Sequence, residues 1–278
     1  MKKIKLLSAL TLAATSIMLS NSASAGVCQD VTFSQFEAAV KIAYDETVGF
    51  GFANMGMWAT LMNKQGKVCY VSAVKNDAGA ESNGGYTATN NAWLGSRVIS
   101  AQKANTANLF SHDKLTMSTG SAMVAVQPGG SLYGLQHSNP VNAAVAYAGS
   151  PKAYGTNADP MMGQMIGGVN LFGGGLALYD AVGKHGSIGV SGDTSCRDHA
   201  MAYRLRIALS DAGLTGVKAD LANDDNLSLV NTADGVTVMT GLFQQPMCYA
   251  TGTVPANGTP NWGDSTDYGV KAYIGLPE

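Results

Sequence analysis

The stretch GSIGVSGDTSCRDHAMAYR, residues 186–204, places a thiol, a guanidinium, a carboxylate and an imidazole in a single helix start: Cys196, Arg197, Asp198 and His199. Three chemistries use such groups. Cys196 and His199, at i and i+3, are spaced as a nucleophile and its base, but a thiol oxidised to a disulfide is a poor nucleophile. Asp198 and His199 are metal-ligand types, yet adjacent helical positions diverge, so further ligands would have to come from elsewhere. Gly189-Val190-Ser191-Gly192 lacks the G-x-S-x-G spacing of a nucleophile elbow, because no residue separates Ser191 from Gly192. The plainer reading is a well-made helix start.

On a helical wheel Met201, Ala202, Leu205, Ala208, Leu209 and Ala212 share one face, with Asp198 in its middle one turn upstream. Asp198 is therefore expected to point inward, stabilised by the free N–H groups and dipole of the helix N-terminus. Cys196, His199, Tyr203 and Arg206, at i, i+3, i+7 and i+10, form a second stripe that something must cover. We expect the C-terminal segment to do so, tied by a Cys196–Cys248 disulfide. That leaves Cys28 with Cys69, although four cysteines allow three connectivities.

The elements that must carry these residues follow a signal-like start. Lys2, Lys3 and Lys5 precede an apolar run from Leu6 to Leu19 that closes on Ala23-Ser24-Ala25, which predicts an exported chain cleaved after residue 25 and free in the periplasm or outside the cell. An even cysteine count suits that oxidising compartment. No later run is long and apolar enough to span a bilayer. Loss of the three lysines makes the formal charge more negative than the −2 of the whole chain, which argues against nucleic acid as a partner.

Beyond it, Ser34-Gln-Phe-Glu37 reads as a capping box for a helix over 34–48. Met55–Met62 and Lys67–Val74 read as a hairpin about the turn 63–66, and 92–110 as a second helix with a small-residue face of Ala101, Ala104 and Ala107. Residues 118–165 are rich in Gly, Ser, Asn and Pro, with Tyr133, Tyr147, Tyr154 and the methionines 161, 162 and 165. A second hairpin, Gly174–Asp180 and His185–Ser191, leads to the helix of the opening stretch. This order predicts an α+β fold, an antiparallel sheet flanked by helices. It divides the mature chain into 26–213, with an insertion at about 118–165, and an extension over 214–278 that packs on it and has strand candidates such as Val236–Thr240.

Two segments together resemble a known family. NKQGKVCYVSAVKNDAGA followed by SRVISAQKANTANLFS is similar to the hairpin and K-A-x-T-A helix of the GlcG/HbpS-like haem-binding proteins. GGGLALYDAVGKHGSIGVSGDTSCRDHA is similar to that family's G-x-I-G-V-S-G strand and acidic helix start. The resemblance covers about residues 32–213; the insertion and the extension depart from the short family domain. It implies a profilin-like arrangement, a small-molecule ligand, haem in some members, and a symmetric homo-oligomer. Lys103, Ala104, Thr106 and Ala107 match the K-A-x-T-A helix, whose threonine the resemblance implies as a haem-contacting position, and Asp198 matches the helix acid.

Haem requires an apolar slot, an axial ligand and cations for its propionates. Arg97 and Lys103 are the cations expected to meet propionates, with Thr106, Asp198 and His199 completing the expected cofactor-binding set. His112, His137 and His185 are the other imidazoles, and no C-x-x-C-H motif of covalent haem attachment is present. The reading is an exported haem- or tetrapyrrole-binding protein without catalysis. Its rivals are an enzyme acting on haem or a small organic acid through Asp77, Lys103, Asp198 and His199, and an interaction module whose tyrosine-rich insertion binds a protein.

Overall fold

The computed structural model of the protein describes residues 26–47, 56–74 and 93–212, together with Asp225, Cys248 and the backbone of short strands at 227–230, 245–246 and 270–274. The signal-like segment, Asp77 and the strand candidate at 236–240 lie outside the described residues.

A short helix α1 (Val27–Asp30) precedes α2 (Phe33–Glu46). The α2 capping box is built on Thr32 and Gln35, two residues ahead of the expected Ser34 and Glu37: Thr32 Oγ1 accepts from the Gln35 N–H, and Gln35 Oε1 accepts from the Thr32 N–H at 2.9 Å. The physical reason is a hydrophobic staple. With Thr32 as the cap, Val31 and Phe36 fall on either side of it, and both are buried in the same apolar cluster.

Strands β1 (Met57–Asn63) and β2 (Val68–Val74) form the first hairpin, and β3 (Gly175–Tyr179) with β4 (Lys184–Ser191) the second. They join as one antiparallel sheet in the order β2-β1-β4-β3. Helix α3 (Leu94–Phe110) covers one face, and α2 with α5 (Ser195–Asp211) covers the other. This is the expected α+β arrangement. Because both faces are covered, alternate residues divide between two cores. Met57, Ala59, Leu61, Leu176, Leu178, Ile188 and Val190 point to α2 and α5, whereas Trp58 and Met62 point to the α3 side with Val68 and Val71. Ala212, expected on the apolar face of α5, is instead exposed just past its last turn.

The long insertion is folded, without long elements of its own. It contains one-turn 3₁₀ helices at Val124–Val126, Leu135–His137 and Pro151–Ala153 and the short α4 (Ala143–Ala146). Ala146, Tyr154, Met161 and Ile166 complete the α3-side core. Met161 is thus a space-filler, while Met165 stays exposed. The Gly163 N–H donates to the Val68 carbonyl and the Val68 N–H to the Gln164 carbonyl, which closes the outer edge of β2. In the extension, β5 (Leu227–Val230), β6 (Gln245–Pro246) and β7 (Val270–Ile274) form a parallel sheet in the order β6-β5-β7. Disulfides join Cys28 to Cys69 and Cys196 to Cys248.

What fixes α3 is the absence of side chains beneath it. A Cβ on Gly189 would overlap the Ser100 carbonyl oxygen and stand 2.5 Å from the Ala104 nitrogen, and one on Gly175 would stand 2.5 Å from the Lys103 carbonyl oxygen. The backbone of α3 therefore lies directly on β3 and β4, where the Ser187 hydroxyl donates to the Ala104 carbonyl at 2.7 Å. Gly189→Ala should lower stability by about 3 kcal/mol, the upper end of overpacking costs, since the obstacles are backbone atoms. Urea denaturation measures this, and an unchanged midpoint would mean that α3 can move away freely.

Candidate functional site

The β4–α5 junction turns at Gly192, whose φ of +151° is poorly suited to other residues; a Cβ there would stand 2.8 Å from the Met57 Cα. Thr194 then caps α5, its Oγ1 accepting from the Arg197 N–H at 3.3 Å. The turn aims Asp198 inward, as the wheel predicts. Its Oδ1 accepts from the Asp193 N–H at 3.0 Å, and its Oδ2 lies 2.6 Å from Lys103 Nζ of α3.

Lys103 and Asp198 are both sealed from solvent. The ammonium also donates to the Val190 carbonyl at 3.0 Å and sits 4.4 Å from the centre of the Phe172 ring. Gly174 makes room for this contact, since a Cβ there would meet Nζ and the Asp198 Cβ at 3.0 Å each. Burial pushes the Asp198 carboxyl up to about 6 against the pull of Lys103, and pushes the Lys103 ammonium down against the pull of Asp198. Both shifts favour the uncharged forms.

The other expected site residues are placed elsewhere. Arg97 is buried, holds Asp159 with two of its nitrogens, donates to the Ala146 carbonyl at 2.7 Å and stacks 3.6 Å over the Tyr154 ring. Asp159 also accepts from the Gly155 and Met161 N–H groups. Thr106 donates to the Gln102 carbonyl at 2.7 Å and accepts from the Asn170 N–H at 2.8 Å, which ties α3 to the irregular segment leading into β3. His199 is fully buried on α5. Of the expected set, Lys103 and Asp198 are brought together as a buried ion pair.

Three groups essential to this architecture escaped the sequence reading. Asp159 and Asp225 are acids far along the chain from their arginines: Arg206 Nη2 lies 3.0 Å from Asp225 Oδ1, so the second stripe of α5 meets the extension through both this pair and Cys196–Cys248. Asp193 pairs with Arg197 at 2.9 Å, both buried. Its i,i+4 spacing is a signal that the sequence does offer. His185 is clamped between Asp30, 2.6 Å from Nε2, and Asp180, 3.0 Å from Nδ1. Among the described residues no group of three His, Cys, Asp or Glu side chains could hold a metal ion, and no helix is long and apolar enough to cross a membrane.

Residues 77–205 match the family described as haem degrading protein HbpS-like. The matched segment contains α3, the insertion, the second hairpin and most of α5, so the family resemblance seen in the sequence is shown there. Among solved structures the chain is similar to protein ORFY of Klebsiella pneumoniae, of the family DUF336, at 23% identity over 65% of this chain and 90% of that one, with a TM-score of 0.41. It is also similar to PduOC in its haem complex, at 19% identity over 64% of this chain and 94% of that one, with a TM-score of 0.40. No curated protein matches the chain.

A haem site needs an axial donor and cations with capacity to spare. Three residues of the expected set, Arg97, Lys103 and Thr106, already have partners within the protein. The Arg97 and Lys103 charges are taken by Asp159 and Asp198, and the Thr106 hydroxyl already donates and accepts. His185 has both ring nitrogens engaged. The accessible imidazoles among the described residues are His112 and His137. Where the two groups stand as an ion pair, Lys103→Met, which strands the Asp198 carboxylate, should cost about 3–5 kcal/mol, whereas Lys103→Met with Asp198→Leu should recover much of the loss. Denaturation of the two variants checks this, and equal losses would show that the contact is not what Lys103 contributes.

Proposed function

We propose that this protein is an exported, non-catalytic binder of haem or a related tetrapyrrole, which it takes at an accessible imidazole, His112 or His137, outside the buried polar set. The observation that carries the reading is the match of residues 77–205 to a family described by its action on haem. The two disulfides are compatible with an oxidising compartment and with the signal-like start.

The placement on an open imidazole rests on accessibility. His112 accepts from the Lys114 N–H through Nδ1, which leaves Nε2 to face a ligand, and Leu109 and Leu115, near it in the chain, are half exposed. His137 ends the 3₁₀ turn Leu135–His137, close in sequence to the exposed Leu132 and Tyr133. Apolar surface beside an imidazole is the pairing that a macrocycle uses. In this reading Arg97, Lys103, Thr106, Asp198 and His199 form the frame that holds such a surface in place, and the assembly is a symmetric oligomer.

A second reading, haem breakdown, is favoured by the family's own description. Both are tested by titrating the oxidised mature protein with hemin, following the Soret band, with size exclusion on the same sample. The expected result is a saturable, shifted band that His112→Ala or His137→Ala weakens, and that persists when ascorbate is added. A band like that of free hemin overturns haem binding. Binding that survives loss of both imidazoles overturns the placement alone, and steady bleaching of the band with ascorbate favours breakdown.

A further inference from the structure

We propose that Lys103 and Asp198 condense into an isopeptide bond that joins α3 covalently to α5. The inference is independent of the haem reading. It starts from a contrast among the buried ion pairs. Arg97–Asp159, Arg197–Asp193 and Arg206–Asp225 each use a guanidinium, which is delocalised, never neutral near pH 7 and inert towards a carboxyl. Lys103–Asp198 is the buried pair among the described residues that brings a primary amine to a carboxyl. Lys41–Asp45, another lysine pair, is exposed on the surface of α2.

The surroundings hold the two reactants for attack. Nζ lies 2.6 Å from Oδ2 and is held from the other side by the Val190 carbonyl, so it cannot swing away. The Asp193 N–H is fixed on Oδ1, the oxygen on which negative charge collects when the carboxyl carbon becomes tetrahedral. Gly174 and the Phe172 ring close the remaining space. Fixed reactants at contact distance gain the large effective concentration of an intramolecular reaction. Exclusion of bulk water opposes the return hydrolysis.

The step balances without any other reagent. A proton passes from the Nζ ammonium to Oδ2, leaving an amine beside a carboxylic acid, a transfer that burial favours by raising Asp198 and lowering Lys103. The Nζ lone pair forms the new bond to Cγ, and the C=O pair moves onto Oδ1 against the Asp193 N–H. A second Nζ proton moves to the Oδ2 hydroxyl, the Oδ1 pair re-forms the C=O as the Cγ–Oδ2 bond breaks, and Oδ2 leaves as water. The product is a secondary amide whose N–H can still donate to Val190. Nothing is oxidised or reduced.

Intact mass of the reduced, full mature chain tests this, followed by tryptic mapping. The expected mass is one water below that required by the sequence, with no cleavage after Lys103 and a branched peptide joining residues 103 and 198. Lys103→Arg should restore the full mass. Asp198→Asn should arrive at the same linked product as the wild type by losing ammonia in place of water, a result that an ion pair would not give. Full mass with cleavage after Lys103 overturns the proposal, as does a water loss that maps elsewhere, for instance to a succinimide at Asp234-Gly235. Should the variants not fold, the wild-type mass and map decide alone. An unlinked pair would also lose stability as pH rises from about 4 through about 6, because the folded carboxyl holds its proton more tightly than the unfolded one; the linked protein has no such group to titrate.

Discussion

The structure depends on how closely α3 lies on its sheet. Gly175 and Gly189 let the helix backbone rest on the strands, and a helix so placed must bury nearly its whole circumference. Its polar side chains then have no solvent to reach and must each find a partner in the neighbouring layer. Ser100 meets Thr60 in β1, Asn105 meets the Gly168 carbonyl, and Asn108 meets the turn at Asn63 and Lys64. Arg97, Lys103 and Thr106 extend the same rule to the insertion, to α5 and to the approach to β3. One close contact thus sets the position of most of the molecule.

Buried charge is costly, and an apolar pair of the same shape is often as stable. What such pairs add here is address. Arg97, Arg197 and Arg206 stand on helices that pack on the sheet, whereas Asp159, Asp193 and Asp225 belong to irregular segments. An insertion or extension with little hydrophobic periodicity cannot dock by pattern alone. Asp159 and Asp225, each paired with its guanidinium, give the insertion and the extension one seat each.

This also explains what the sequence does and does not reveal. Both hairpins and the three long helices announce themselves through local periodicity and turn residues, and Asp198 is placed inward by the wheel. The Thr32 cap is missed because Ser34 offers an equally good motif, and only the joint burial of Val31 and Phe36 decides between them. Arg97 and Lys103 look like cations awaiting an anionic ligand, because the acids that neutralise them lie 62 and 95 residues away and leave no local trace. Asp193, four residues from Arg197, was legible in principle.

The two disulfides also determine how the molecule would carry load. A pull on the N-terminal side reaches Cys28 and passes straight to Cys69 in β2, bypassing α2 and β1. A pull on the C-terminal side enters at Cys248 and passes to Cys196 in the first turn of α5, bypassing the rest of that helix. Through the disulfides alone, tension between the two ends runs along residues 69–196, a path that the proposed Lys103–Asp198 bond would shorten further, and α2, β1, most of α5, β5 and β6 form slack that cannot be drawn out until a sulfur–sulfur bond is cut. Under a thiol reductant the same pull would reach those elements first, so the contour length released by force would report the redox state of the surroundings.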